Sequence, residues 1–315
     1  MEQPVGGYFG LELRKGQHFH KNAIRLNSAR NCLAVILRSR KWKKIYLPYY
    51  TCEVVLQTII SQGLEYGFYH IDSSFNPIDL PTLDKDEAFL YTNYWGIKQE
   101  IVEELAEQFS EQLIVDNAQA FFAPRIPYVD TFYSPRKFLG VPDGGYLYTD
   151  IEVSSLYDKD HLSWSRMTHL CRRIDEGPEN GFSDYHRAEE SLASSPILMM
   201  SELTESLLSS IDYQAILEKR RNNFSLYHTY LSHRNSLELK VNGEDVPMCY
   251  PFLSKASLRE KLLKHRIFIP YYWRNVKEWC SDGLEGGISD NLLALPLDQR
   301  YGPADVERVV SIIND

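Results

Sequence analysis

The sequence lacks the features of two broad protein classes. No run of about 18 apolar residues occurs, so no segment is predicted to span a membrane. Positive charge is in deficit, since the 315 residues carry a formal net charge of -9. Phosphate backbones and anionic membrane surfaces attract positively charged proteins. We therefore expect neither a nucleic acid nor a membrane as a partner.

Cysteine is scarce, and its 5 residues are widely spread without a Cys-x-x-Cys pair. An odd number of scattered cysteines is typical of reduced thiols rather than of a disulfide framework or a zinc site. The first residues, "MEQPVGGYFGLEL", do not follow the basic-then-apolar pattern of a secretory signal. Together these features predict a cytoplasmic protein.

Several catalytic signatures are also missing. The chain contains no Gly-x-Ser-x-Gly, no His-Glu-x-x-His and no Gly-x-Gly-x-x-Gly. Serine hydrolases, zinc proteases and dinucleotide-binding enzymes therefore have no support from a motif. His18 and His20 form a pair with no third ligand nearby in the sequence, and we expect no metal site.

The apolar and polar patterns of the first half predict an α/β fold. Segments 45–50, 64–72, 87–96, 113–116, 129–134 and 145–150 are strand-like, and segments 26–40, 52–63 and 98–112 are helix-like. Strands that alternate with helices favour a mainly parallel sheet covered on both faces. We expect a large domain over 1–210, which begins with an arm over 1–24.

The pattern changes to helices from about residue 151. Segment 195–231 predicts one long helix or two, with a bend near Ile211 and Asp212. The segments that follow predict a strand, a helix, a second strand at 267–273, a strand-like turn and a final helix. We expect this second part, 211–315, to be a smaller α+β domain.

Polar residues follow several of the predicted strands. Asn93, Asp116, Ser134 and Lys137 each lie at or just beyond the end of a strand. Ligands of open α/β sheets bind at the carboxyl ends of the strands. We therefore expect these four side chains to surround one crevice.

The chemistry of these residues points to one cofactor. A helix that opens at Ser28 presents free N–H groups to an anion, and Arg30 can add a charge. Asp116 ends an apolar strand, where an unpaired carboxylate is costly, so a cation is expected to face it. Lys137, which stands among turn-forming residues, can act as a nucleophile if burial or a nearby positive charge lowers its pKa. A phosphate site, a carboxylate and an amine together suit pyridoxal phosphate.

Three segments resemble one protein family. The segment "TFYSPRKFLGVPDGG" is similar to the lysine segment of the DegT/DnrJ/EryC1/StrS sugar aminotransferases, within the fold-type I aminotransferases. It shares the proline two positions before Lys137, the Leu-Gly after it and the Asp-Gly-Gly. The segment "DNAQ", from Asp116 to Gln119, resembles the family's Asp-x-x-Gln. "SAR" and "NYWG" stand where the family has Gly-Thr-Ala and His-Leu-Tyr-Gly.

The resemblance implies the fold and the roles of the site residues. It implies a three-layer αβα large domain with a mostly parallel sheet, and a smaller C-terminal α+β domain. Lys137 would hold the cofactor covalently and transfer protons, and Asp116 would bond its pyridine nitrogen. Gln119 would reach the ring hydroxyl or the substrate. The phosphate would lie at a helix start formed by Ser28, Ala29 and Arg30.

The chain also departs from the family pattern. Phe132 replaces the serine usually found five positions before the lysine, and Ser134 is the expected substitute for that phosphate contact. Cys52 stands where the family often places an aromatic side chain against the cofactor ring. Tyr50 or Tyr94 is the alternative candidate for the side chain that stacks on this ring. Asn93 is expected at the site by its position in "NYWG".

The activity that the resemblance implies is a transamination. An amino acid, typically glutamate, would donate an amino group to a keto or aldehyde acceptor, typically a nucleotide-linked keto sugar for polysaccharide or natural-product synthesis. The family also implies a homodimer with shared active sites. Two alternatives stay open. One is a different pyridoxal phosphate reaction, such as an aldol cleavage or an elimination. The other is a non-catalytic relative that binds cofactor or sugar, which the short chain and Phe132 favour.

Overall fold

A computed structural model describes residues 5–153, 157–254 and 258–315. The strands are β1 (Ile24–Leu26), β2 (Lys44–Pro48), β3 (Glu65–Ile71), β4 (Pro77–Ile78), β5 (Glu87–Thr92), β6 (Leu113–Asn117), β7 (Asp130–Tyr133), β8 (Gly145–Tyr148), β9 (Tyr250–Leu253) and β10 (Leu292–Leu295). The helices are α1 (Ala29–Arg40), α2 (Glu53–Ser61), α3 (Gln99–Phe109), α4 (Thr168–Asp175), α5 (Phe182–Ala193), α6 (Glu202–Ser209), α7 (Tyr213–Leu231), α8 (Arg259–Lys264), α9 (Val276–Trp279), α10 (Leu284–Asn291) and α11 (Pro303–Asn314). None of these described helices is long and apolar enough to cross a membrane.

Eight strands form one large sheet in the order β1-β8-β7-β6-β5-β2-β3-β4. The central strands β7, β6, β5, β2 and β3 are parallel to one another, and antiparallel pairs occur only towards the two edges. This arrangement confirms the predicted α/β fold with a mostly parallel sheet. Since parallel strands end at the same edge, the loops after β2, β5, β6 and β7 lie on one side of the molecule.

Each face of the large sheet is covered by a separate apolar core. Along β5, Phe89 and Tyr91 point into one core with side chains of α3, whereas Ala88 and Leu90 point into the other. That second core contains the apolar side chains of α1 and α2. Because neighbouring side chains of a strand point to opposite faces, this buried, uniformly apolar strand is typical of a three-layer αβα arrangement.

The C-terminal part contains a second, two-stranded antiparallel sheet of β9 and β10. A third apolar core lies between this sheet and helices α7, α8 and α11. These elements agree with the expected smaller α+β part, while its boundary at residue 210 stays a prediction. The expected bend at Ile211 and Asp212 is confirmed, because α6 ends just before them and Asp212 caps α7.

Some elements differ from the sequence-based expectation. Segment 267–273 forms no strand, and Pro270 within it lacks the N–H that a strand ladder requires. The strand expected over 87–96 ends at Thr92, since Trp95 and Gly96 have positive φ angles of 60° and 72°. The helix expected over 26–40 begins at Ala29, because the residues before it form β1.

Candidate active site

The start of α1 is built to receive an anion. Ser28 is the N-cap residue, and its Oγ accepts a hydrogen bond from the N–H of Asn31 at 3.1 Å. The N–H of Ala29 faces the carbonyl oxygen of Gly144 in the parallel bridge between Ser28 and Gly144, whereas the N–H of Arg30 has no acceptor among the described residues. Arg30 itself donates through Nη1 to the carbonyl oxygen of Ala193 at 2.8 Å. The N–H of Arg30 and the positive end of the helix dipole therefore remain available to a ligand.

A cavity of about 190 Å³ lies where α1 begins and where β2, β6 and β7 end. Most of the predicted site residues line it, namely Ser28, Ala29, Arg30, Cys52, Asp116, Ser134 and Lys137. These residues come from four separate segments of the chain. The sheet topology thus brings together a helix start, a carboxylate, a hydroxyl group and an amine that are distant in sequence.

Asp116 is the buried carboxylate of this cavity. It lies at the end of β6, its side chain is buried, and its Oδ1 accepts the N–H of Ala118 at 2.8 Å. Burial raises the pKa of Asp116, and the positive charge of Lys137 opposes this shift. Burial also raises the pKa of the Cys52 thiol, and Lys137 again opposes it. The Lys137 ammonium group is therefore the cation that acts on both side chains.

Lys137 lies between two cavities. It ends a single turn of 3₁₀ helix that follows β7. It lines the small cavity and also a second cavity of about 640 Å³. Its side chain is exposed, so burial does not isolate the amine as one sequence-based hypothesis suggested. The amine is the group that both cavities share.

Asn93 and Tyr94 are occupied by contacts within the protein. The Oδ1 of Asn93 accepts the N–H of Lys98 at 3.0 Å, and its Nδ2 donates to Gln99 at 3.3 Å. The hydroxyl of Tyr94 donates to the carbonyl oxygen of Tyr50 at 2.7 Å. Neither residue is among those that line the small cavity. Their contact with a cofactor stays a prediction, and their visible role is to hold the turn after β5.

Gln119 is buried, and the NH₂ group of its side-chain amide has no hydrogen-bond acceptor among the described residues. Its Oε1 accepts the N–H of Trp95 at 3.1 Å, which fixes the orientation of the side chain. Its Nε2 has no partner among the described residues, although the side chain is only 1% exposed. An unpaired buried donor is costly, so a ligand that offers an acceptor there would be favoured.

The Asp-Gly-Gly segment connects the lysine turn to the start of α1. A Cβ atom added at Gly145 would lie 2.4 Å from the carbonyl carbon of Ser28 and 2.6 Å from the nitrogen of Ala29. Gly144 has a φ of 113°, and its N–H donates to the carbonyl oxygen of Asn27 at 2.8 Å. Only glycine allows so close an approach in this conformation. The segment thereby holds the two halves of the cavity together.

A buried ion cluster behind this contact was not found from the sequence. Arg166, 2% exposed, donates through Nε to Asp143 at 3.0 Å and also pairs with Asp160. The Nδ2 of Asn27 reaches the same Asp160 at 3.5 Å. Asp143 belongs to the Asp-Gly-Gly motif, but nothing in the local sequence indicates its partner 23 residues later. The cluster fixes the backbone on which the helix start depends.

The larger cavity is rich in cationic side chains. In addition to Lys137, four arginines line it, namely Arg173, Arg266, Arg300 and Arg308. Three carboxylates oppose them, and two of these form ion pairs, Glu179 with Arg266 and Asp298 with Arg300. Aromatic side chains such as Tyr272 and Phe182 complete the wall. The sequence did not predict this cavity, because its residues come from distant segments without a shared motif.

Solved structures provide the comparison with known proteins. No family model matches the chain, and no curated protein matches its sequence. The putative sugar aminotransferase Spr1654 from Streptococcus pneumoniae has been solved in PLP and PMP forms. Both forms superpose with a TM-score of 0.66 at 15% identity over 92% of this chain, and the match covers 85% of the PLP form and 86% of the PMP form. The sugar aminotransferase CalS13 from Micromonospora echinospora gives 0.64 at 17% identity, over 92% and 86% of the two chains. A DegT DnrJ EryC1 StrS aminotransferase from Brucella abortus gives 0.61 at 14% identity, over 93% and 85%.

The chain has the fold of these aminotransferases. At identities this low the likeness concerns the fold, and it confirms the fold-type I architecture expected from the sequence. The fold type I sheet presents its ligand site at the carboxyl ends of the strands, as general topology requires. The small cavity of this protein lies at that position.

Proposed function

We propose that the protein is a pyridoxal phosphate-dependent aminotransferase that acts on a keto sugar. The observation that carries the proposal is the position of Lys137, whose amine lies between a small cavity suited to the cofactor and a larger cationic cavity. The similarity in fold to sugar aminotransferases supports the same conclusion. A single lysine that is accessible from both cavities can serve the cofactor and the substrate in turn.

The residues of the small cavity fit the cofactor group by group. The free N–H of Arg30, with the hydroxyl groups of Ser28 and Ser134, suits its phosphate. Asp116 suits a protonated ring nitrogen, because a buried carboxylate favours a cationic partner.

The ring hydroxyl would complete the fit. Gln119 is not among the residues that line either cavity, and we assign its unpaired, buried Nε2 to this oxygen. The small cavity therefore supplies partners for the phosphate, the ring nitrogen and the aldehyde, in Ser28, Asp116 and Lys137 respectively.

The protein contributes binding, charge and proton transfer. When bound, pyridoxal phosphate supplies a carbonyl carbon that takes and returns the amino group and a ring that accepts electrons. Lys137 Nζ removes a proton from the donor's Cα and returns one to the acceptor as general base and acid. Asp116 keeps a positive charge on the ring nitrogen by its own negative charge. Gln119 would contribute a neutral hydrogen bond to the ring hydroxyl.

The larger cavity supports anionic substrates. Its five cationic side chains outnumber its three carboxylates, so its potential favours a negatively charged ligand. Glutamate as donor and a nucleotide-linked keto sugar as acceptor both carry negative charge. The aromatic side chains of this cavity, such as Tyr272 and Phe182, offer surfaces on which a sugar or a base can pack.

We further propose a cytoplasmic homodimer with shared active sites. All 5 cysteines are free, which agrees with a reducing compartment. Large apolar side chains are exposed near the larger cavity, with Phe182 at 60% and Ile174 at 86%. The arm before β1 exposes Tyr8 and Phe9 almost completely. A second copy would cover such surfaces.

The test of the cofactor assignment uses three proteins. Wild type, Lys137→Ala and the control Lys159→Ala are mixed with pyridoxal phosphate, and the visible absorbance is followed before and after borohydride treatment. Lys159 pairs with Glu202 outside the cavity and serves as a matched surface lysine. In wild type and in the control we expect a visible band that borohydride bleaches while the cofactor becomes covalently attached; Lys137→Ala should show neither the band nor the attachment. Absence of the band in wild type would sink the proposal.

The reaction type is then tested with glutamate. Transamination predicts that glutamate converts the bound cofactor to pyridoxamine phosphate and yields one equivalent of 2-oxoglutarate. An aldol cleavage or elimination would instead release fragments of an amino acid without 2-oxoglutarate. Cofactor binding without turnover of any amino acid would indicate a non-catalytic relative. Nucleotide-linked keto sugars of different stereochemistry, offered to the pyridoxamine form, then identify the acceptor.

A further inference from the structure

A cluster of three potential metal ligands lies outside the candidate active site. His70 is in β3 near the edge of the large sheet, while Cys280 and Glu285 flank the start of α10 in the C-terminal part. None of the three lines either of the two cavities described above. The sequence did not reveal the cluster because His70 is separated from its neighbours by about 210 residues of intervening chain.

The three side chains converge on one point. The Nδ1 of His70 lies 2.9 Å from Oε1 of Glu285, and the Sγ of Cys280 lies 3.8 Å from Oε2 of the same carboxylate. One ligand atom from each residue lies within 4.8 Å of the others. Ligand atoms around a tetrahedral zinc ion are separated by roughly 3.3 to 3.8 Å, given bonds of about 2.0 to 2.3 Å. An ion can therefore replace the hydrogen bond between His70 and Glu285 with small shifts of the side chains.

The surrounding backbone is shaped to this cluster. A Cβ atom added at Gly283 would lie 2.5 Å from the Sγ of Cys280 and 3.0 Å from Oε2 of Glu285, so the glycine leaves these two side chains room to lie side by side. The N–H of Ile71 donates to Oε1 of Glu285 at 3.0 Å and fixes the carboxylate from its outer side. Such second contacts orient ligands in metal sites. Glu285 is 1% exposed, whereas His70 is exposed, which leaves a path for an ion to enter.

We propose that His70, Cys280 and Glu285 bind one zinc ion, with water in the fourth position. Nitrogen, sulfur and oxygen ligands in a four-coordinate site are the combination that zinc accepts, whereas magnesium and calcium require oxygen ligands. The thiolate and the carboxylate together neutralise the charge of the ion. The proposal does not depend on the proposed transaminase activity.

The ion would connect two parts of the chain. It would join β3 to the segment that leads from Tyr272 to α10. This segment is already held near the active site, since Tyr50 donates to the carbonyl oxygen of Tyr272 and Asn275 donates to that of Thr51 at 3.0 Å. Tyr272 lines the larger cavity. Zinc would therefore stabilise one wall of that cavity from behind.

The experiment measures metal binding to the full-length protein, with and without pyridoxal phosphate. Zinc affinity is determined by competition with a chromophoric chelator, and cobalt(II) is titrated to record the visible d–d bands of the bound ion. We expect one equivalent of zinc, tetrahedral cobalt bands, and a rise in Tm on addition of zinc. His70→Ala and Cys280→Ser should each weaken zinc binding at least roughly tenfold and abolish the rise in Tm.

Matched variants exclude binding elsewhere on the surface. Cys171→Ser and His161→Ala change exposed residues outside the cluster and should bind zinc as wild type does. Glu285→Gln retains an acceptor for the N–H of Ile71, so it should fold while losing affinity. Tm values without metal show whether each variant is folded. Binding that is unchanged in both His70→Ala and Cys280→Ser, or no binding by wild type, would overturn the proposal.

Discussion

Asp116 shows how a single residue can serve function at the expense of stability. Its carboxylate is buried at the end of an apolar strand, and within the protein it has one backbone donor, the N–H of Ala118. Burial raises its pKa, so the folded state disfavours the charged form that a cationic ligand would require. Residues of this kind were predictable from the sequence, because a polar side chain at the end of an apolar strand needs a partner.

We predict that Asp116→Asn stabilises the cofactor-free protein and lowers activity. Because the folded state raises the pKa of Asp116, the folded protein binds this proton more tightly than the unfolded chain does. Stability therefore declines as pH rises from the unfolded pKa through the folded pKa. Asparagine is neutral and retains the acceptor for the N–H of Ala118. Above the folded pKa of Asp116, the variant should therefore have a higher free energy of unfolding than wild type. Transamination should fall by roughly 100-fold or more, since the charge facing the ring is lost.

Chemical denaturation of the cofactor-free proteins at several pH values measures the change in stability. Initial rates with glutamate measure the change in activity. Asp84→Asn, at an exposed position, is the control and should change neither. An Asp116→Asn protein that retains full activity would contradict the assigned role. A variant that is less stable at neutral pH would contradict the cost assigned to the buried carboxylate.

At the scale of elements, the site depends on how one helix begins and on how closely one strand approaches it. The cap at Ser28 leaves the N–H of Arg30 free, and the strand β8 meets the same turn through Gly145. Both features could be located in the sequence, as a cap residue before an apolar helix and as a Gly-Gly pair. Their contact could not, because 117 residues separate them.

Ser28→Ala is predicted to affect stability and phosphate binding together. Loss of the cap should lower the free energy of unfolding by about 1 kcal/mol. Ser201 caps α6 by accepting the N–H of Thr204 at 3.0 Å, and it is not among the residues that line the small cavity. Ser201→Ala should therefore lose similar stability but bind pyridoxal phosphate as wild type does. Equal cofactor affinity in both variants, measured by fluorescence titration, would argue against a phosphate at α1.

Replacing Gly145 by alanine should separate β8 from α1. The added Cβ would lie 2.4 Å and 2.5 Å from the backbone carbon and oxygen of Ser28, so the backbone would have to shift. We expect a loss of about 1 to 3 kcal/mol in stability and weaker cofactor binding. Gly287→Ala is the control, because its Cβ meets nothing within 4 Å in α10 and should stabilise by about 0.5 to 1 kcal/mol. Thermal unfolding distinguishes the two, and a harmless Gly145→Ala would contradict the close approach.

At the scale of the whole molecule, the arm before β1 is attached to the large sheet through buried histidines. The Nε2 of His20 bonds with the carbonyl oxygen of Phe121 at 2.7 Å, and the ring packs against Tyr133 and Tyr146. Burial lowers the pKa of His20 to about 4. Neighbouring His18 has its pKa lowered to about 4 by burial and by the charge of Arg25.

These histidines predict a loss of stability in acid. Since the folded pKa lies below the ordinary value of 6.5, the unfolded chain binds protons more readily between pH 6.5 and about 4. Stability is therefore complete above pH 6.5 and falls as pH approaches 4, by about 1.4 kcal/mol per pH unit for each histidine.

His20→Gln keeps an N–H donor for the carbonyl oxygen of Phe121. Urea unfolding at several pH values should show that the free energy of unfolding depends less steeply on pH, by the contribution of one histidine. His161→Gln, at an exposed position, should keep the slope of wild type. An unchanged slope in His20→Gln would show that the residue does not remain neutral in the folded protein.

Much of the architecture was determined by local sequence patterns. Alternating apolar and polar segments predicted the parallel sheet, because each strand and helix must bury one face or both. The polar residues at strand ends, such as Asp116 and Lys137, were also visible, since an apolar strand followed by a charged residue is an unusual local pattern. The strand expected over 267–273 was wrong, because Pro270 lacks the N–H that a strand needs for pairing although the segment is apolar.

Only the tertiary structure decided which distant residues meet. It placed Arg166 against Asp143, surrounded the larger cavity with arginines such as Arg300, and brought His70 to Cys280. It also showed Lys137 to be exposed between two cavities rather than enclosed in one. The physical reason is that an ion pair or a cavity depends on distance in space, whereas the periodicity and turn chemistry of a sequence report only on neighbours along the chain.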